Sequence, residues 1–250
     1  MAKPKALVLR AAGTNCDKES QYALELAGFE AQRVHLFRVM ENPRRLDEAQ
    51  LIMFPGGFSY GDDVAAGKIF ATQMIHRLAE PLNAFVAGGK LILGVCNGFQ
   101  VLIKSGLLPW GQADPEHANQ DATLAWNDCG SFVDRWIRLR CDSGKCVFLP
   151  KGETLELPIA HGEGKFVTRS RGVLARLKRD DQVVVRYDGD NPNGSLDDVA
   201  GICDPTGRVF GLMPHPERFV DVLQHPRWTR GGITRPDGFV VFQRAREYFA

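Results

Sequence analysis

The first hundred residues alternate between short apolar segments of strand length and longer segments with helical spacing. Continuously apolar strands that alternate with helices are typical of a parallel sheet covered on both faces. The predicted strands are Lys5–Arg10, Glu30–His35, Gln50–Phe54 and Lys90–Val95. The predicted helices are Asp17–Ala27, Asp63–Ala87 and Asn97–Ser105, the second of them broken near Pro81. This half of the chain therefore predicts a parallel α/β sheet.

The second half consists of strand-like segments separated by turn clusters, and a predicted helix, Pro236–Phe249, closes the chain. No internal repeat, low-complexity tract or linker divides the sequence. We therefore predict an α/β fold, with a largely parallel sheet flanked by helices and a β-rich second half, in a single domain over residues 1–250. The strands predicted here are Ser131–Asp142, Thr154–Ile159, Val183–Tyr187, Val199–Cys203 and Arg208–Met213.

Composition argues against several classes of function. The 31 basic and 30 acidic residues leave a net charge of +1, so nothing favours binding to nucleic acid. No apolar run reaches the length of a membrane span, and the first apolar segment is too short for a secretory signal. The six cysteines are scattered, with no Cys-x-x-Cys pair, which is typical of a reduced protein without a zinc site. We expect a cytoplasmic protein that binds neither metal, membrane nor nucleic acid.

The strongest chemical signal is Gly94-Val95-Cys96-Asn97-Gly98, which lies between a predicted buried strand and a predicted helix. This spacing is that of a nucleophile elbow with cysteine in place of serine, because side chains two residues to either side would collide with neighbouring backbone. The turn places the Cys96 thiol at a helix N-terminus, which favours the thiolate. The alternative is a buried structural cysteine that happens to lie between two glycines.

A second constellation is His215 and Glu217, which follow a predicted strand and alternate with prolines. In an extended segment, side chains at positions i and i+2 point the same way, so Glu217 could orient His215 and raise its basicity. Alone, such a sequence would be a surface turn with a solvated His–Glu pair. Together with a cysteine elbow it predicts a Cys96–His215–Glu217 triad.

Two glycine-containing segments complete the candidate site. Gly56 and Gly57 end the third predicted strand, where backbone amides can point at an oxyanion, although an ordinary loop would also use glycine there. Cys16 begins a predicted helix, where its thiol could be activated, but we expect a packed small side chain beside the helix cap. The segment Gly61–Ile69 does not match a phosphate-binding loop, because its glycine spacing is one residue too long and Ile69 replaces the Ser or Thr.

These motifs occur in the order and spacing of the class I, or triad, glutamine amidotransferases. The sequence resembles in particular the glutaminase subunits of phosphoribosylformylglycinamidine synthase. The resemblance extends over most of the chain and is carried by Gly13–Asp17, Pro55–Asp62, Gly94–Gln100, Pro158–Gly164, Asn193–Gly201 and Gly211–Glu217. It implies a glutaminase that attacks glutamine with Cys96, uses His215 as the base and orients that base with Glu217.

The resemblance also implies roles for residues around the triad. The backbone amides of Asn97 and of Gly57 or Phe58 would form the oxyanion hole. Gln100, one helical turn beyond Cys96, would support the substrate pocket. The remaining implied residues, His161 and Glu163, would lie near the mouth of the site or at the interface with a partner.

The partners implied by the resemblance are a synthetase subunit and a small accessory subunit. The synthetase would bind ATP, magnesium and formylglycinamide ribonucleotide, and the present chain would need no cofactor of its own. Three alternatives stay open at this point: a glutaminase of another pathway, a cysteine hydrolase of the related peptidase-like group, and a non-catalytic scaffold subunit. The peptidase-like enzymes commonly place histidine directly after the nucleophile, where this chain has Asn97.

Overall fold

A computed structural model of the chain describes residues 2–116 and 120–250. The predicted single domain, 1–250, thus includes four residues, 1 and 117–119, that lie outside the described ranges. The strands are β1 (Lys5–Arg10), β2 (Glu30–His35), β3 (Leu51–Phe54), β4 (Leu91–Val95), β5 (Ala122–Ala125), β6 (Val133–Cys141), β7 (Thr154–His161), β8 (Lys165–Thr168), β9 (Val183–Tyr187), β10 (Val199–Cys203) and β11 (Val209–Leu212). The α-helices are α1 (Asp17–Leu26), α2 (Leu36–Glu41), α3 (Lys68–Ala87), α4 (Asn97–Lys104), α5 (Leu107–Trp110), α6 (Arg171–Arg179) and α7 (Phe239–Glu247).

Nine of the strands form one sheet, in the order β2-β1-β3-β4-β11-β10-β9-β6-β7. The first five strands of this order, from β2 to β11, run parallel to one another. From β11 onward, each strand is antiparallel to the next strand in the sheet. A separate antiparallel pair joins β5 and β8. The prediction of an α/β sheet with a β-rich second half is therefore confirmed. No helix in the described part of the chain is long and apolar enough to cross a membrane.

The central strands are buried on both faces, as their uninterrupted apolar sequences require. Every residue of β3, β4 and β11 is buried, and helices α1, α3 and α4 contribute buried side chains to the core. Because burying one Leu or Ile side chain is worth roughly 1.5–3 kcal/mol, these strands hold the middle of the sheet in place. Their carboxyl ends therefore form a rigid edge.

Helix α3 differs from its prediction at both of the places where the sequence suggested a boundary. It begins at Lys68 rather than Asp63, since Val64 and Gly67 adopt left-handed backbone conformations with φ of 71° each. It also continues through Pro81 without a break. Apolar side chains are buried on both sides of the proline, among them Leu78 and Leu82, so packing against the sheet stabilises the helix through that residue.

The two glycines of the predicted elbow occupy positions where no side chain fits. A Cβ added at Gly94 would lie 2.6 Å from Leu102 and 2.8 Å from the carbonyl oxygen of Gly98. A Cβ added at Gly98 would overlap the carbonyl oxygen of Phe54 at the end of β3. The predicted collision is confirmed, and the contact between Gly98 and Phe54 brings α4 directly against β3.

We expect Gly98→Ala to lower the free energy of unfolding by about 3 kcal/mol, because the added methyl group must displace backbone rather than a flexible side chain. The control is Gly172→Ala, which changes the second residue of α6, the helical position that Gly98 occupies in α4. It has only ordinary contacts and should leave stability unchanged or raise it by about 0.5–1 kcal/mol. Urea unfolding followed by circular dichroism measures both, and equal stability of the two variants would contradict the packing argument.

Candidate active site

Cys96 occupies the sharp turn between β4 and α4. Its backbone angles are φ 50° and ψ −107°, a combination that non-glycine residues rarely adopt and that is found mostly at functional sites. Its amide donates to the carbonyl of Leu212 (2.8 Å), which fixes the turn to β11. The thiol lies 3.7 Å from the carbonyl oxygen of Ala160 and is 5% exposed. The sequence thus places a candidate nucleophile where β4, β11 and β7 meet.

His215 and Glu217 follow β11, the neighbour of β4. Nδ1 of His215 lies 2.7 Å from Oε1 of Glu217, and both side chains are buried. The amide of His215 donates to the carbonyl of Pro158 on β7 (2.9 Å). The predicted pairing is thus present, but the extended conformation expected beyond His215 is wrong. Pro216–Arg218 forms a short 3-10 turn, and this turn, rather than strand alternation, brings Glu217 back to the imidazole.

The charges around His215 favour its protonated form. Burial lowers the pKa of this imidazole, but the carboxylate of Glu217 and the nearby thiolate of Cys96 outweigh burial and raise that pKa well above its usual value. Nε2 of His215 is buried and forms no hydrogen bond within the described ranges. It is therefore free to exchange a proton with Cys96 or with a bound substrate.

Of the three predicted oxyanion donors, Gly57 and Phe58 lie in the glycine loop after β3, and Asn97 is the first residue of α4. Residues Thr14 and Gly57 form an isolated antiparallel bridge, in which the amide of Phe58 donates to the carbonyl of Gly13 (3.0 Å). Phe58 is therefore not available as an oxyanion donor in this conformation, contrary to the prediction. The amide of Gly57 donates no hydrogen bond to the described residues, and the amide of Asn97 is the first of α4, where helices leave N–H groups free.

The side chain of Asn97 joins the segments of the site. Its Oδ1 accepts from the amide of Ser59 (3.3 Å), and its Nδ2 donates to Asp62 and to Gln100 (3.0 Å each). Gln100 in turn donates to the carbonyl of Glu163 (2.6 Å). Both ends of the Gln100 amide are thus used in holding α4 to neighbouring loops. Its support of a substrate pocket stays a prediction.

His161 lies inside the site rather than on a partner surface, because its side chain is only 3% exposed. Its Nδ1 lies 3.1 Å from Oδ1 of Asn127, which also accepts from the amide of Gly164 (3.1 Å). Nδ1 therefore carries the proton, and the buried Nε2 has no partner among the described residues. Burial and the nearby His215 lower the pKa of His161 to about 4, so this ring is neutral. Glu163 is half-buried.

Two acidic groups near the elbow were not recognised from the sequence as a pair. Burial, followed by the charge of Glu163, raises the pKa of Asp62 to about 6. The carboxylate of Glu163 accepts from the amide of Ala66 (3.3 Å). The amine of Lys104 donates to the carbonyl of Ala66. Asn127 was also missed. Asp62 and Glu163 lie in motifs named above, but no local pattern reveals that they pair, and no motif marks Asn127, since these contacts come from segments far apart along the chain.

Comparison with known proteins identifies the class. A family model described as a CobB/CobQ-like glutamine amidotransferase domain matches residues 3–249. The chain therefore belongs to the glutamine amidotransferase family. It is 44% identical to the PurQ subunit of phosphoribosylformylglycinamidine synthase from Dehalococcoides mccartyi, a match covering 98% of this chain and 97% of that protein. It is 40% identical to the PurQ subunit from Archaeoglobus fulgidus, over 98% and 96% of the two chains. The resemblance to these glutaminase subunits is confirmed.

Solved structures agree with the fold. The structure of PurLQS from Thermotoga maritima contains a chain that superimposes with a TM-score of 0.78 at 36% identity, over the full length of both chains. A putative GMP synthase component from Thermoplasma acidophilum matches with a TM-score of 0.59 at 13% identity, over 99% and 94% of the chains. The second likeness shows the fold alone, and the prediction of a class I glutamine amidotransferase fold is confirmed.

We expect Glu217→Gln to slow alkylation of Cys96 by iodoacetamide at pH 7 by about tenfold. Without the carboxylate, the pKa of His215 falls, the imidazolium loses its proton, and the thiolate loses its counter-charge. The difference in alkylation rate between Glu217→Gln and the unmodified chain should shrink above pH ~8.5, where an ordinary thiol ionises unaided. Mass spectrometry of the modified Cys96 peptide measures the rate. Glu156→Gln, which changes a carboxylate paired with Arg227, serves as the control, and an unchanged rate in Glu217→Gln would contradict the charge assignment.

Proposed function

We propose that the chain is the glutaminase subunit of a phosphoribosylformylglycinamidine synthase and hydrolyses glutamine to glutamate and ammonia. The observation that carries the proposal is the buried His215–Glu217 pair beside a cysteine on a strained elbow. Its full-length relatives are PurQ subunits of that synthase, which supports the pathway. A non-catalytic scaffold would not need to retain a buried imidazole, its orienting carboxylate and a strained nucleophile together.

In the proposed mechanism, the Cys96 thiolate attacks the carboxamide carbon of glutamine. The negative charge that develops on the carboxamide oxygen is stabilised by the backbone amides of Gly57 and Asn97, and losing one such donor typically costs about 10²–10³ in rate. The His215 imidazolium gives its proton to the departing nitrogen, which leaves as ammonia. The neutral imidazole then takes a proton from water, which attacks the thioester to release glutamate and regenerate the thiolate.

Glu217 has a supporting role in both half-reactions. Its Oε1 accepts from Nδ1 of His215, which holds the ring in the tautomer that presents Nε2 to the reacting atoms. Gln100 and the side chain of Asn97 position the elbow and the glycine loop through their hydrogen bonds. We propose that residues 1–250 act as one amidotransferase domain, because one sheet supplies Cys96, His215 and Glu217 at the ends of neighbouring strands.

The proposed partner is the synthetase that converts formylglycinamide ribonucleotide to formylglycinamidine ribonucleotide, accompanied by a small accessory subunit. We propose that ATP and magnesium bind to the synthetase and that this chain needs no cofactor of its own. Support comes from the structure of PurLQS, which contains a close structural neighbour of this chain. The six free cysteines support a reducing, cytoplasmic location.

We propose that the synthetase docks on a cluster of exposed apolar side chains. Phe58 follows the glycine loop, its ring lies 6.1 Å from that of Phe132, and Trp126 lies beside Gly162. We call these three residues and the exposed Val64 the rim cluster. Phe58 follows Gly57, and Trp126 and Phe132 lie beside Gly162 and His161, next to the Ala160 carbonyl that faces Cys96. We propose that ammonia leaves past this cluster, since in open water it would be protonated and no longer nucleophilic. A partner that accepts ammonia therefore has to seal this rim.

We expect Cys96→Ala to abolish glutamine-dependent synthesis in the complex with the synthetase while synthesis from ammonium chloride continues. The change removes the nucleophile and leaves the partner's chemistry intact. Product formation with each nitrogen source is the measurement, and Cys141→Ala, which changes a cysteine at the end of β6 away from the elbow and the rim cluster, should leave both activities within about twofold. Glutamine hydrolysis that persists in Cys96→Ala would falsify the nucleophile assignment.

We expect Phe132→Asp to weaken binding to the synthetase by about tenfold or more, because a charge would replace an apolar side chain at the centre of an interface. Tyr248→Asp is the matched control. The exposed fractions of Phe132 and Tyr248 are similar, 50% and 41%, but Tyr248 contacts Gly89 at the opposite end of the sheet. Analytical ultracentrifugation of the mixed subunits measures both affinities. Equal affinities of the two variants would show that the synthetase docks elsewhere.

A further inference from the structure

A second buried thiol lies beside the His215–Glu217 pair and is not used by the mechanism above. The sulfur of Cys16, a ring nitrogen of His215 and a carboxylate oxygen of Glu217 all lie within 4.8 Å of one another. Cys16 is fully buried at the start of α1. The sequence favoured a packed small side chain here over an activated thiol, because nothing local to Cys16 indicates that His215 lies against it.

Three hydrogen bonds fix the orientation of Cys16. Its thiol donates to Oδ1 of Asn15 (3.2 Å), and its sulfur accepts from Nη2 of Arg218 (3.2 Å). Its backbone amide donates to the carbonyl of Gly56 (3.2 Å). A thiol held only by apolar packing would have none of these directional partners. Cys16 is therefore connected both to the glycine loop and to the segment that carries the imidazole.

The space around the imidazole leaves it no alternative position near Cys16. A Cβ added at Gly56 would lie 2.7 Å from Cε1 of His215 and 3.3 Å from the sulfur of Cys16. The glycine backbone, the thiol and the ring edge are thus packed together. Any displacement of the sulfur would open space into which the ring could tilt, and a tilt changes the direction of Nε2.

The charge of Arg218 gives the sulfur an electrostatic effect as well. The guanidinium follows Glu217 in the chain and would otherwise oppose the positive charge of the imidazolium. Because Arg218 directs an N–H at the sulfur, it polarises the thiol, and the polarisable sulfur lies beside both the imidazole and the carboxylate. The cluster therefore accommodates the proton that His215 carries until it transfers that proton to the departing nitrogen.

We propose that Cys16 is a positioning residue for His215. Its sulfur, oriented by Arg218 and Asn15, holds the imidazole against Glu217 and in line with Cys96. The proposal rests on the proposed glutaminase function for its kinetic consequence, but its geometric content concerns only this chain.

The kinetic test compares Cys16→Ala, Cys16→Ser and Cys203→Ala in the complex with the synthetase. We expect Cys16→Ala to lower kcat for glutamine by about 10- to 100-fold with KM within about twofold, the effect of losing a group that orients a catalytic side chain. Serine keeps a donor and an acceptor. On a logarithmic scale, the loss of kcat in Cys16→Ser should therefore be at most half of the loss in Cys16→Ala. Cys203 is an equally buried cysteine on β10, and its change should leave kcat within about twofold.

A second readout needs no glutamine and therefore separates this proposal from the proposed function. The rate of Cys96 alkylation by iodoacetamide is measured from pH 6 to pH 9 by mass spectrometry. We expect the alkylation of Cys96 to be slower in Cys16→Ala and in Arg218→Met at neutral pH. At high pH both rates should reach that of the unmodified chain. If Cys16→Ala does not fold, the Arg218→Met and Cys16→Ser rates decide.

A kcat and alkylation profile of Cys16→Ala that match those of the unmodified chain would overturn the proposal. An equal loss of kcat in Cys203→Ala would also overturn the proposal, since it would show that any change in core packing has the same effect. If the unmodified complex itself lacked glutaminase activity, the proposed function would fail, while the alkylation profiles would still report whether Cys16 positions His215.

Discussion

The site depends on the contact between Gly98 and the carbonyl of Phe54. That contact lets α4 begin immediately at the end of β4, with its first amides aimed at the same edge of the sheet where β3 ends. One strained residue, Cys96, absorbs the change of direction. Because β3 and β4 are buried on both faces, their packing outweighs the strain of about 1–3 kcal/mol that such a conformation typically stores.

The order of the sheet explains how the remaining groups reach Cys96. Strand β11 is both the last parallel strand and the first neighbour of the antiparallel half. It delivers His215 and Glu217 beside the elbow, while β7 returns to the same region through the Pro158 carbonyl and ends at His161. The nucleophile thus comes from the parallel half and its base from the junction with the antiparallel half. The β-rich second half is part of the site rather than an addition to it.

Much of this arrangement could be predicted from the sequence. Apolar runs placed β3, β4 and β11, and the glycine spacing around Cys96 identified the elbow because steric exclusion acts between residues close in sequence. Proline patterns were less informative, since tertiary packing carries α3 through Pro81. Helix α6 was missed although Val173, Leu174 and Leu177 lie at helical spacing and face the core, because three apolar residues in a nine-residue segment are a short signal. The engaged amide of Phe58, the burial of His161 and the surroundings of Cys16 depend on contacts between distant segments, so no local pattern reveals them.

The hydrogen bond between Arg218 and Cys16 joins residues 202 positions apart, and it has a consequence for the time at which the nucleophile becomes reactive. Contacts of such long range form late, because the chain entropy of closing so large a loop must be overcome first. During synthesis, the elbow emerges from the ribosome well before β11 and the residues that follow it. Until those residues dock, Cys96 has neither base nor orienting carboxylate and remains an ordinary thiol. A nascent chain that still lacks these residues therefore has no complete site with which to consume glutamine.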